Sequence, residues 1–346
     1  MSKTDAVSAL QLPWRVKLML FAIGSGTDLC CRSNSTVNRC LAHLFDFKSP
    51  PLNKPNNGLK SFDVTVDASR NLWFRLYAPT SDSTSESLPL IVYFHGGGFI
   101  FMAPDSKLID HLCQSLAREI SAVVISVNYR LAPEHRCPCQ YEDGFDVLKF
   151  IDAAAIEGFP ANVDLKRCFV AGDTSGGNIA HHMILRSGEH EFRDLEIVGV
   201  IAIQPFFGGE ERTQSEKELI RAPLATMDRT DWFWKAFLPE GSDRDHPAVN
   251  IFGPNSADLS NVRFPAIKVF VGGLDPLIDR QKRCYEEMKK LGKESYLVEY
   301  QNAFHGFYGF PELPEWALFI RDVVDFVQTQ SSKMISRRNP NHNSMD

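Results

Sequence analysis

A short segment near the middle of the chain places a hydroxyl group where a covalent nucleophile could stand. It reads Ala171-Gly172-Asp173-Thr174-Ser175-Gly176-Gly177. The form Gly-x-nucleophile-x-Gly describes a sharp strand-to-helix turn, which needs small residues two positions before and two positions after the nucleophile. Thr174 satisfies this rule, because Gly172 and Gly176 flank it. We therefore predict Thr174 as the nucleophile and the Ser175 backbone N–H as an oxyanion donor. The Ser175 hydroxyl is the less favoured nucleophile, because the bulky Asp173 precedes it by two.

A glycine-rich motif could hold the negative charge that such a nucleophile creates. His95-Gly96-Gly97-Gly98 follows the apolar run that ends at Phe94. Glycines at the end of a strand allow backbone N–H groups to face a pocket without obstruction from side chains. We predict Gly97 and Gly98 as oxyanion donors within this motif, and a plain glycine-rich turn is the alternative.

An acid and a base follow later in the chain, each after an apolar run. Asp275 comes after residues 267–271, and His305 comes after residues 296–300. His305 would take the proton of the Thr174 hydroxyl, and Asp275 would orient the imidazole and stabilise its charged form. Asp279 is the rival acid, but it lies in the first turn of a predicted helix, where the helix dipole explains an acidic residue.

The elements that must position these groups follow the pattern of an α/β protein. Residues 62–66 and 72–77 alternate in polarity like antiparallel strands. Unbroken apolar runs, typical of parallel strands buried on both faces, then recur at 90–94, 122–127, 168–171, 198–203 and 267–271. Helices are predicted between the runs, at 105–119, 142–155, 175–187, 279–291 and 315–330. Ligands of such sheets bind at the carboxyl ends of the strands, where the motifs lie.

The first sixty residues predict a helical cap over that site. Two short helices are expected at residues 12–24 and 36–47, the second with Thr36 as N-cap. A proline-rich linker leads to a main domain at 61–330, and a polar, flexible tail is expected at 331–346. Pocket walls are expected from residues 12–47 and 206–211.

Composition excludes several classes of protein. The 346 residues carry a net charge of −6 and 44% hydrophobic residues, which provides a sizeable core and gives no basic surface for nucleic acid. No segment predicts a membrane span, and Cys137-Pro138-Cys139 is too tight for a zinc site. We expect a cytoplasmic protein, with the nucleus as a further compartment, that acts on a small molecule without cofactor or metal. A protein partner is not expected, although the cap could offer a surface for one.

Taken together, the motifs resemble those of the hormone-sensitive-lipase-like plant carboxylesterases. The likeness includes the two glycine motifs, Asp275-Pro276, His305 and the segment Asn128-Tyr129-Arg130-Leu131-Ala132-Pro133-Glu134-His135. It implies an α/β-hydrolase fold, with a mostly parallel sheet flanked by helices and an N-terminal cap that closes over the oxyanion loop. The cap segment Thr36-Val37-Asn38-Arg39 is similar to that of the gibberellin receptors in this family.

Two departures from the family patterns define the functional hypotheses. The gibberellin receptors have lost the triad histidine, but this chain keeps His305. Thr174 stands at the elbow position where the family usually has serine. In this feature the chain resembles the 2-hydroxyisoflavanone dehydratases. We expect a carboxylesterase-like hydrolase of small acyl esters. The alternatives are a dehydratase or lyase, in which His305 abstracts a proton and Thr174 orients the substrate, and a receptor-like binder of a small molecule. Retention of Asp275 and His305 argues against the binder, which needs no base.

Overall fold

A computed structural model describes residues 10–52, 54–80, 87–153 and 156–338. Most of the predicted loop at 80–87, the end of the predicted helix at 142–155 and the end of the tail lie outside these residues. Within them, eight strands form one sheet. The strands are β1 (Leu59–Asp67), β2 (Leu72–Pro79), β3 (Leu88–Phe94), β4 (Val123–Asn128), β5 (Val163–Asp173), β6 (Ile197–Ile203), β7 (Ala266–Gly272) and β8 (Ser295–Tyr300).

The sheet is antiparallel at one edge and parallel elsewhere, in the order β1-β2-β4-β3-β5-β6-β7-β8. β1 pairs with β2 and β2 with β4 in antiparallel register, and every other pairing is parallel. All of β3 is buried, as its unbroken apolar run predicted, because helices cover both faces. The predicted α/β-hydrolase architecture is confirmed, and the ends of β3, β5 and β7 lie near one another along one edge.

Helices cover the two faces of the sheet. They are α3 (Lys107–Ile120), α4 (Cys139–Ala153), α5 (Ser175–Ser187), α6 (Gln214–Glu218), α7 (Met227–Phe237), α8 (Ile278–Lys290) and α9 (Pro314–Arg338). The sequence analysis predicted neither α6 nor α7. A signal for α6 was present, because Thr213 and Glu216 form a reciprocal capping box. No helix in the described part of the chain is long and apolar enough to cross a membrane.

The cap contains two helices, α1 (Trp14–Cys30) and α2 (Arg39–Phe45). α1 continues six residues past the predicted end at residue 24. The predicted N-cap of the second helix was wrong: Asn38, not Thr36, accepts the Leu41 N–H, at 3.3 Å. The Thr36 hydroxyl instead donates to Asn34 Oδ1 at 2.7 Å, so it belongs to the preceding turn.

The boundary of the predicted C-terminal tail also needs correction. α9 continues to Arg338, so the tail predicted from residue 331 begins inside a helix. Val327, Ser331 and Met334 are buried at helical spacing, and this burial extends the helix into a segment of polar composition.

Candidate active site

The turn between β5 and α5 holds Thr174 in a backbone conformation that is rare for a residue with a side chain. Its φ is 44° and its ψ is −111°. A Cβ on Gly172 would lie 2.2 Å from the Gly176 backbone, and one on Gly176 would lie 1.8 Å from the carbonyl oxygen of Phe94. Neither position admits a side chain. The sequence analysis used this same requirement for small residues to predict Thr174 as the nucleophile.

The extra methyl group of Thr174 lies against the glycine motif. A Cβ built on Gly96 would be 2.3 Å from Thr174 Cγ2 and 2.2 Å from Asp173 Oδ2. The absence of a side chain at Gly96 therefore provides the space that the threonine methyl and the Asp173 carboxyl need. A serine at position 174 would leave part of that space empty.

The loop after β3 turns its backbone towards the same space. Gly97 and Gly98 have φ angles of 97° and 64°, which glycine adopts without strain. Side chains there would collide with the Phe101 carbonyl oxygen, at 2.3 Å, and with the Phe233 ring, at 2.5 Å. Both glycines line the cavity described below.

Ser175 is the first residue of α5, so its N–H is among the first four of the helix, which have no acceptor within the helix. The residue is completely buried. This burial favours a backbone role over attack by its hydroxyl group.

His95 stabilises the loop from within the protein. Its ring is completely buried, its Nδ1 lies 2.8 Å from the Gly96 carbonyl oxygen, and it stacks on Tyr129 with ring centres 4.3 Å apart. The Tyr129 hydroxyl donates to the His95 carbonyl oxygen at 2.7 Å. Burial lowers the pKa of His95 to about 4. A neutral ring with this contact acts as a structural part of the motif.

The predicted base and acid lie in direct contact. His305 Nδ1 is 2.7 Å from Asp275 Oδ2, and Asp275 is completely buried at the start of the turn into α8. This bond fixes the tautomer in which Nδ1 carries the proton and Nε2 is free to accept one. Asp279 faces elsewhere, because its carboxylate accepts the Ser215 N–H at 2.8 Å. The structure thus pairs His305 with Asp275 rather than with the rival acid.

Amide groups complete the surroundings of the Asp275 carboxylate. The Leu277 N–H donates to Oδ1 at 2.9 Å, and the side chains of Gln281 and Gln204 donate to Oδ2 at 2.9 and 3.0 Å. Such donors stabilise the ionised form of a buried carboxylate. The sequence analysis identified neither glutamine: Gln204 lies 71 residues before Asp275, and Gln281, six residues after it, lies in the predicted helix without a motif of its own.

A second buried carboxylate lies beneath the elbow. Asp173 accepts hydrogen bonds from the hydroxyl groups of Tyr93, at 2.5 Å, and Tyr308, at 2.8 Å. Burial raises its pKa above the usual range, although both tyrosines oppose the shift. These bonds connect β3, β5 and the segment after His305, and so they brace the turn that carries Thr174.

One cavity of about 150 Å³ brings the predicted residues together. Thr174, Gly97, Gly98 and His305 all line it. The cap contributes Ile23, Gly24 and Thr27, whereas Phe206 is the one lining residue from the predicted wall at 206–211. The sequence analysis missed several further lining residues, among them Leu112, Leu224, Arg229, Thr230, Phe233 and Phe310.

The walls of the cavity are mostly apolar, and Arg229 is the one arginine or lysine among the described residues that line it. Its guanidinium group is occupied by Asp28 of the cap, with Nε and Nη2 at 2.7 and 2.8 Å from the carboxylate oxygens. Among the described residues, no group of three or more His, Cys, Asp or Glu side chains could hold a metal ion. The arrangement places a hydroxyl group, an imidazole paired with a carboxylate, and a glycine-rich loop around a mostly apolar enclosure.

Comparisons with known proteins agree with this architecture. The family model for the α/β-hydrolase fold matches residues 91–309. A gibberellin receptor of Arabidopsis thaliana is 41% identical over 316 residues, which cover 88% of this chain and 90% of the receptor. A 3-O-acetylpapaveroxine carboxylesterase of Papaver somniferum is 33% identical over 70% of this chain and 82% of its own. The esterase of Pyrobaculum calidifontis superposes with a TM-score of 0.68 at 29% identity, over 81% of this chain and 87% of that structure.

Proposed function

The chain belongs to the α/β-hydrolase family as a carboxylesterase-type member, and we propose that it hydrolyses small acyl esters through Thr174, His305 and Asp275. One observation carries this proposal. His305, which contacts the buried Asp275 at 2.7 Å, lines the same cavity as Thr174 and the glycine loop. A molecule that merely bound a ligand would gain nothing from a base that a buried carboxylate orients in this way.

The first half of the reaction forms an acyl-enzyme. His305 Nε2 takes the proton of the Thr174 hydroxyl as Thr174 Oγ1 attacks the ester carbonyl carbon. The carbonyl oxygen gains the negative charge, which the backbone N–H groups of Gly97, Gly98 and Ser175 stabilise. Asp275 stabilises the imidazolium, which then gives its proton to the alcohol oxygen as the ester bond breaks.

The second half of the reaction releases the acid. His305 takes a proton from water, and the resulting hydroxide attacks the carbonyl carbon of the Thr174 ester. The same donors stabilise the second oxyanion. When this intermediate collapses, the proton returns from His305 to Thr174 Oγ1, and the carboxylic acid leaves the restored enzyme.

The size and chemistry of the cavity favour a short acyl group. Its volume of about 150 Å³ is small, and its lining includes Leu112, Phe233 and Phe310. The Thr174 methyl group reduces the space beside Gly96 further. Hydrolysis of an acetyl ester is also the activity named for the Papaver somniferum relative.

Ester turnover by four purified proteins tests the proposal. The wild type should hydrolyse p-nitrophenyl acetate and butyrate, whereas Thr174→Ala and His305→Ala should lose activity by on the order of a hundredfold or more. Thr174→Ser should raise turnover, because the oxygen remains and the methyl that crowds the attack is gone. Absence of ester turnover in both the wild type and Thr174→Ser would refute the proposal that the protein is an ester hydrolase.

Mass spectrometry after treatment with an organophosphate separates nucleophilic attack from mere orientation of the substrate. We expect one covalent adduct on Thr174 and none in Thr174→Ala. An adduct on Ser175 would instead establish the shifted nucleophile.

The threonine itself supports a second candidate, a dehydratase or lyase. Its β-branch restricts the side-chain rotamer, and its methyl packs against Gly96. In this reaction His305 abstracts a carbon-bound proton, the glycine loop stabilises an enolate, and Thr174 orients the substrate. Hydroxylated flavanones are the substrates to screen. Their turnover by Thr174→Ala as well as by the wild type would favour this candidate.

The cap supports a third candidate, a receptor-like binder of a gibberellin-type small molecule. Several large apolar side chains of the cap are exposed, with Trp14 69%, Phe21 72% and Phe47 75% exposed. Exposed apolar patches are typical of interaction sites. Ligand-dependent protection of residues 12–47 from hydrogen exchange, without ester turnover, would favour a receptor over an enzyme.

A further inference from the structure

Gln204 lies between the acid and the base of the proposed site. It directly follows β6, the strand between the elbow strand β5 and the acid strand β7. Its side chain is completely buried. Its backbone φ is 42°, a conformation that costs free energy for a residue with a side chain. The Gln204 N–H donates to the Phe270 carbonyl oxygen at 2.8 Å, so the neighbouring strand holds this bend in place.

The amide of Gln204 contacts the acid and the backbone on either side of the base. Its Nε2 donates to Asp275 Oδ2 at 3.0 Å and to the Phe304 carbonyl oxygen at 3.2 Å. Its Oε1 accepts the Gly306 N–H at 2.7 Å. Phe304 and Gly306 are the residues on either side of His305. One planar group therefore fixes the backbone before and after the base, and it fixes the acid that orients the base.

The surrounding chain leaves room for this side chain. A Cβ on Gly272, at the end of β7, would lie 2.7 Å from Gln204 Nε2 and 2.5 Å from the Ala303 carbonyl oxygen. A larger residue there would displace the amide or the segment that leads to His305. The glycine is thus a steric requirement of the Gln204 contacts.

We propose that Gln204 is a positioning residue that sets the geometry and the charge of the His305–Asp275 pair. It does not touch the reacting atoms. It holds the loop of the base through Phe304 and Gly306, and it donates a hydrogen bond to the Asp275 carboxylate. This inference rests on the proposed function, in which His305 is the base.

Gln281 provides a matched comparison, because it donates to the same Asp275 oxygen at 2.9 Å. Gln281 contacts the site through Asp275, whereas Gln204 also bonds to the backbone on either side of His305. Gln204→Met should lower kcat/KM for p-nitrophenyl acetate by on the order of a hundredfold, the cost of a misplaced catalytic group. Gln281→Met should lower it by about tenfold or less. Equal losses in the two variants, or no loss in a folded Gln204→Met, would overturn the proposal.

Gln204→Glu keeps the acceptor for the Gly306 N–H and replaces the donor to Asp275 with an oxygen. Two carboxyl groups about 3 Å apart must share a proton to remain together. The ratio of kcat/KM in this variant to that in the wild type should therefore fall as pH rises from about 6 to about 9. A purely structural role predicts a ratio that is constant over this range, and such a constant ratio would contradict the proposal. Because this variant conserves size and one hydrogen bond, it also tests the proposal if Gln204→Met does not fold.

Proton NMR tests the inference without ester turnover. The proton between His305 Nδ1 and Asp275 Oδ2 should give a strongly downfield resonance in the wild type that is absent from His305→Ala. Gln204→Met should shift or broaden it more than Gln281→Met. An unchanged resonance would refute the role of Gln204. If the wild type gives the resonance but no ester turnover, the proposed reaction fails while the positioning role remains measurable.

Discussion

The floor of the proposed active site and the cap meet at the same cavity, but the interactions that hold them differ. We define the floor as the elbow, the glycine loop, Asp275, His305 and the residues that brace them. Most of its polar side chains are buried, and three of them illustrate how its segments are joined. Asp173 accepts from two tyrosines, Asp275 accepts from four donors, and Gln204 connects three segments. Several backbone positions in the floor cannot accept even one additional carbon atom.

The cap exposes much of its apolar surface, and several of its polar contacts with the main domain are partly open to water. Arg39 of α2 bonds to Glu134 and to the carbonyl oxygens of Ile100 and Ala132. Asp28 of α1 pairs with Arg229, and the Trp232 ring N–H donates to the Arg32 carbonyl oxygen at 2.8 Å. Most of these groups are partly exposed, so water competes for them.

This difference indicates that the floor and the cap have different roles. A site that aligns a hydroxyl group, a base and backbone donors must hold its geometry closely, which buried bonds achieve. A cover that admits a substrate must open at a small free-energy cost, which exposed anchors allow. We therefore expect floor substitutions to affect global stability and kcat, and cap substitutions to affect local opening and KM.

The largest effect should come from a single added carbon in the floor. A Cβ on Gly176 would lie 1.8 Å from the Phe94 carbonyl oxygen, which belongs to the backbone of β3 and cannot move aside cheaply. Gly176→Ala should lower the free energy of unfolding by more than about 4 kcal/mol or prevent folding. Urea unfolding, followed by circular dichroism, measures the change.

Gly309→Ala is the matched control for that substitution. A Cβ there would meet its nearest atom, Leu108 Cδ2, at an ordinary 3.9 Å. Its effect on the free energy of unfolding should be within about 1 kcal/mol. If Gly176→Ala and Gly309→Ala lowered the free energy of unfolding equally, the floor would adjust to added atoms more easily than the comparison of floor and cap implies.

The second largest effect is a pH dependence that a buried histidine of α5, the helix that begins at the elbow, gives to the main domain. Burial lowers the pKa of His181 to about 4, and its Nδ1 has no hydrogen-bond partner among the described residues. Above about pH 6.5 the His181 ring is neutral in both the folded and the unfolded protein, so the buried ring makes its full contribution to the free energy of unfolding. As pH falls towards 4, the unfolded chain binds a proton that the folded protein excludes. The contribution is therefore lost progressively over this range.

At about pH 5, this linkage should cost about 2 kcal/mol for His181 relative to neutral pH. His181→Phe retains an aromatic ring between Phe207 and Phe264 and removes the titration. Urea unfolding of both proteins near pH 7.5 and near pH 5 isolates the effect. We expect a smaller loss of stability in the variant, and parallel losses would contradict the assignment.

Some parts of the floor could be predicted from the sequence, because their constraints are local. The small residues around Thr174 placed it at the elbow, and the strand ends before Asp275 and His305 predicted where these side chains meet. Gln204 could not be found in this way. Its contacts depend on a positive φ and on the positions of β5, β6 and β7 side by side. These are properties of the assembled sheet.

The cap was harder to predict, because its residues find their partners far along the chain. Arg229 and Phe233 line the cavity from α7, a helix without a long apolar repeat, about two hundred residues after the cap. The choice of Asn38 over Thr36 as N-cap likewise depends on the turn that Asn34 and Thr36 form together. Apolar composition predicted a cap in this region but not its anchors.

The third prediction concerns the strongest cap anchor, Arg39. Its Nη2 lies 2.6 Å from the Ala132 carbonyl oxygen and 2.5 Å from the Glu134 carboxylate. Arg39→Met keeps much of the apolar stem and loses these bonds. Hydrogen exchange in residues 14–45 should become about tenfold faster, because the cap opens more often, while β3 and β5 exchange as in the wild type. KM should rise with little change in kcat, and equal acceleration of exchange in the sheet would refute independent opening of the cap.

The smallest effect should come from Asp28, the more exposed anchor. Its side chain is 59% exposed, although Arg229 holds the pKa of its carboxyl below the usual range. The ion pair should contribute less than about 1 kcal/mol, because water and salt screen it. Asp28→Asn should therefore accelerate exchange in α1 by about threefold or less. Added salt should reduce the difference from the wild type, whereas the effect of Arg39→Met, which removes bonds to backbone carbonyls, should persist in salt. A larger effect at Asp28 than at Arg39 would mean that the ion pair with Arg229, rather than the bonds of Arg39 to backbone carbonyls, keeps the cap closed.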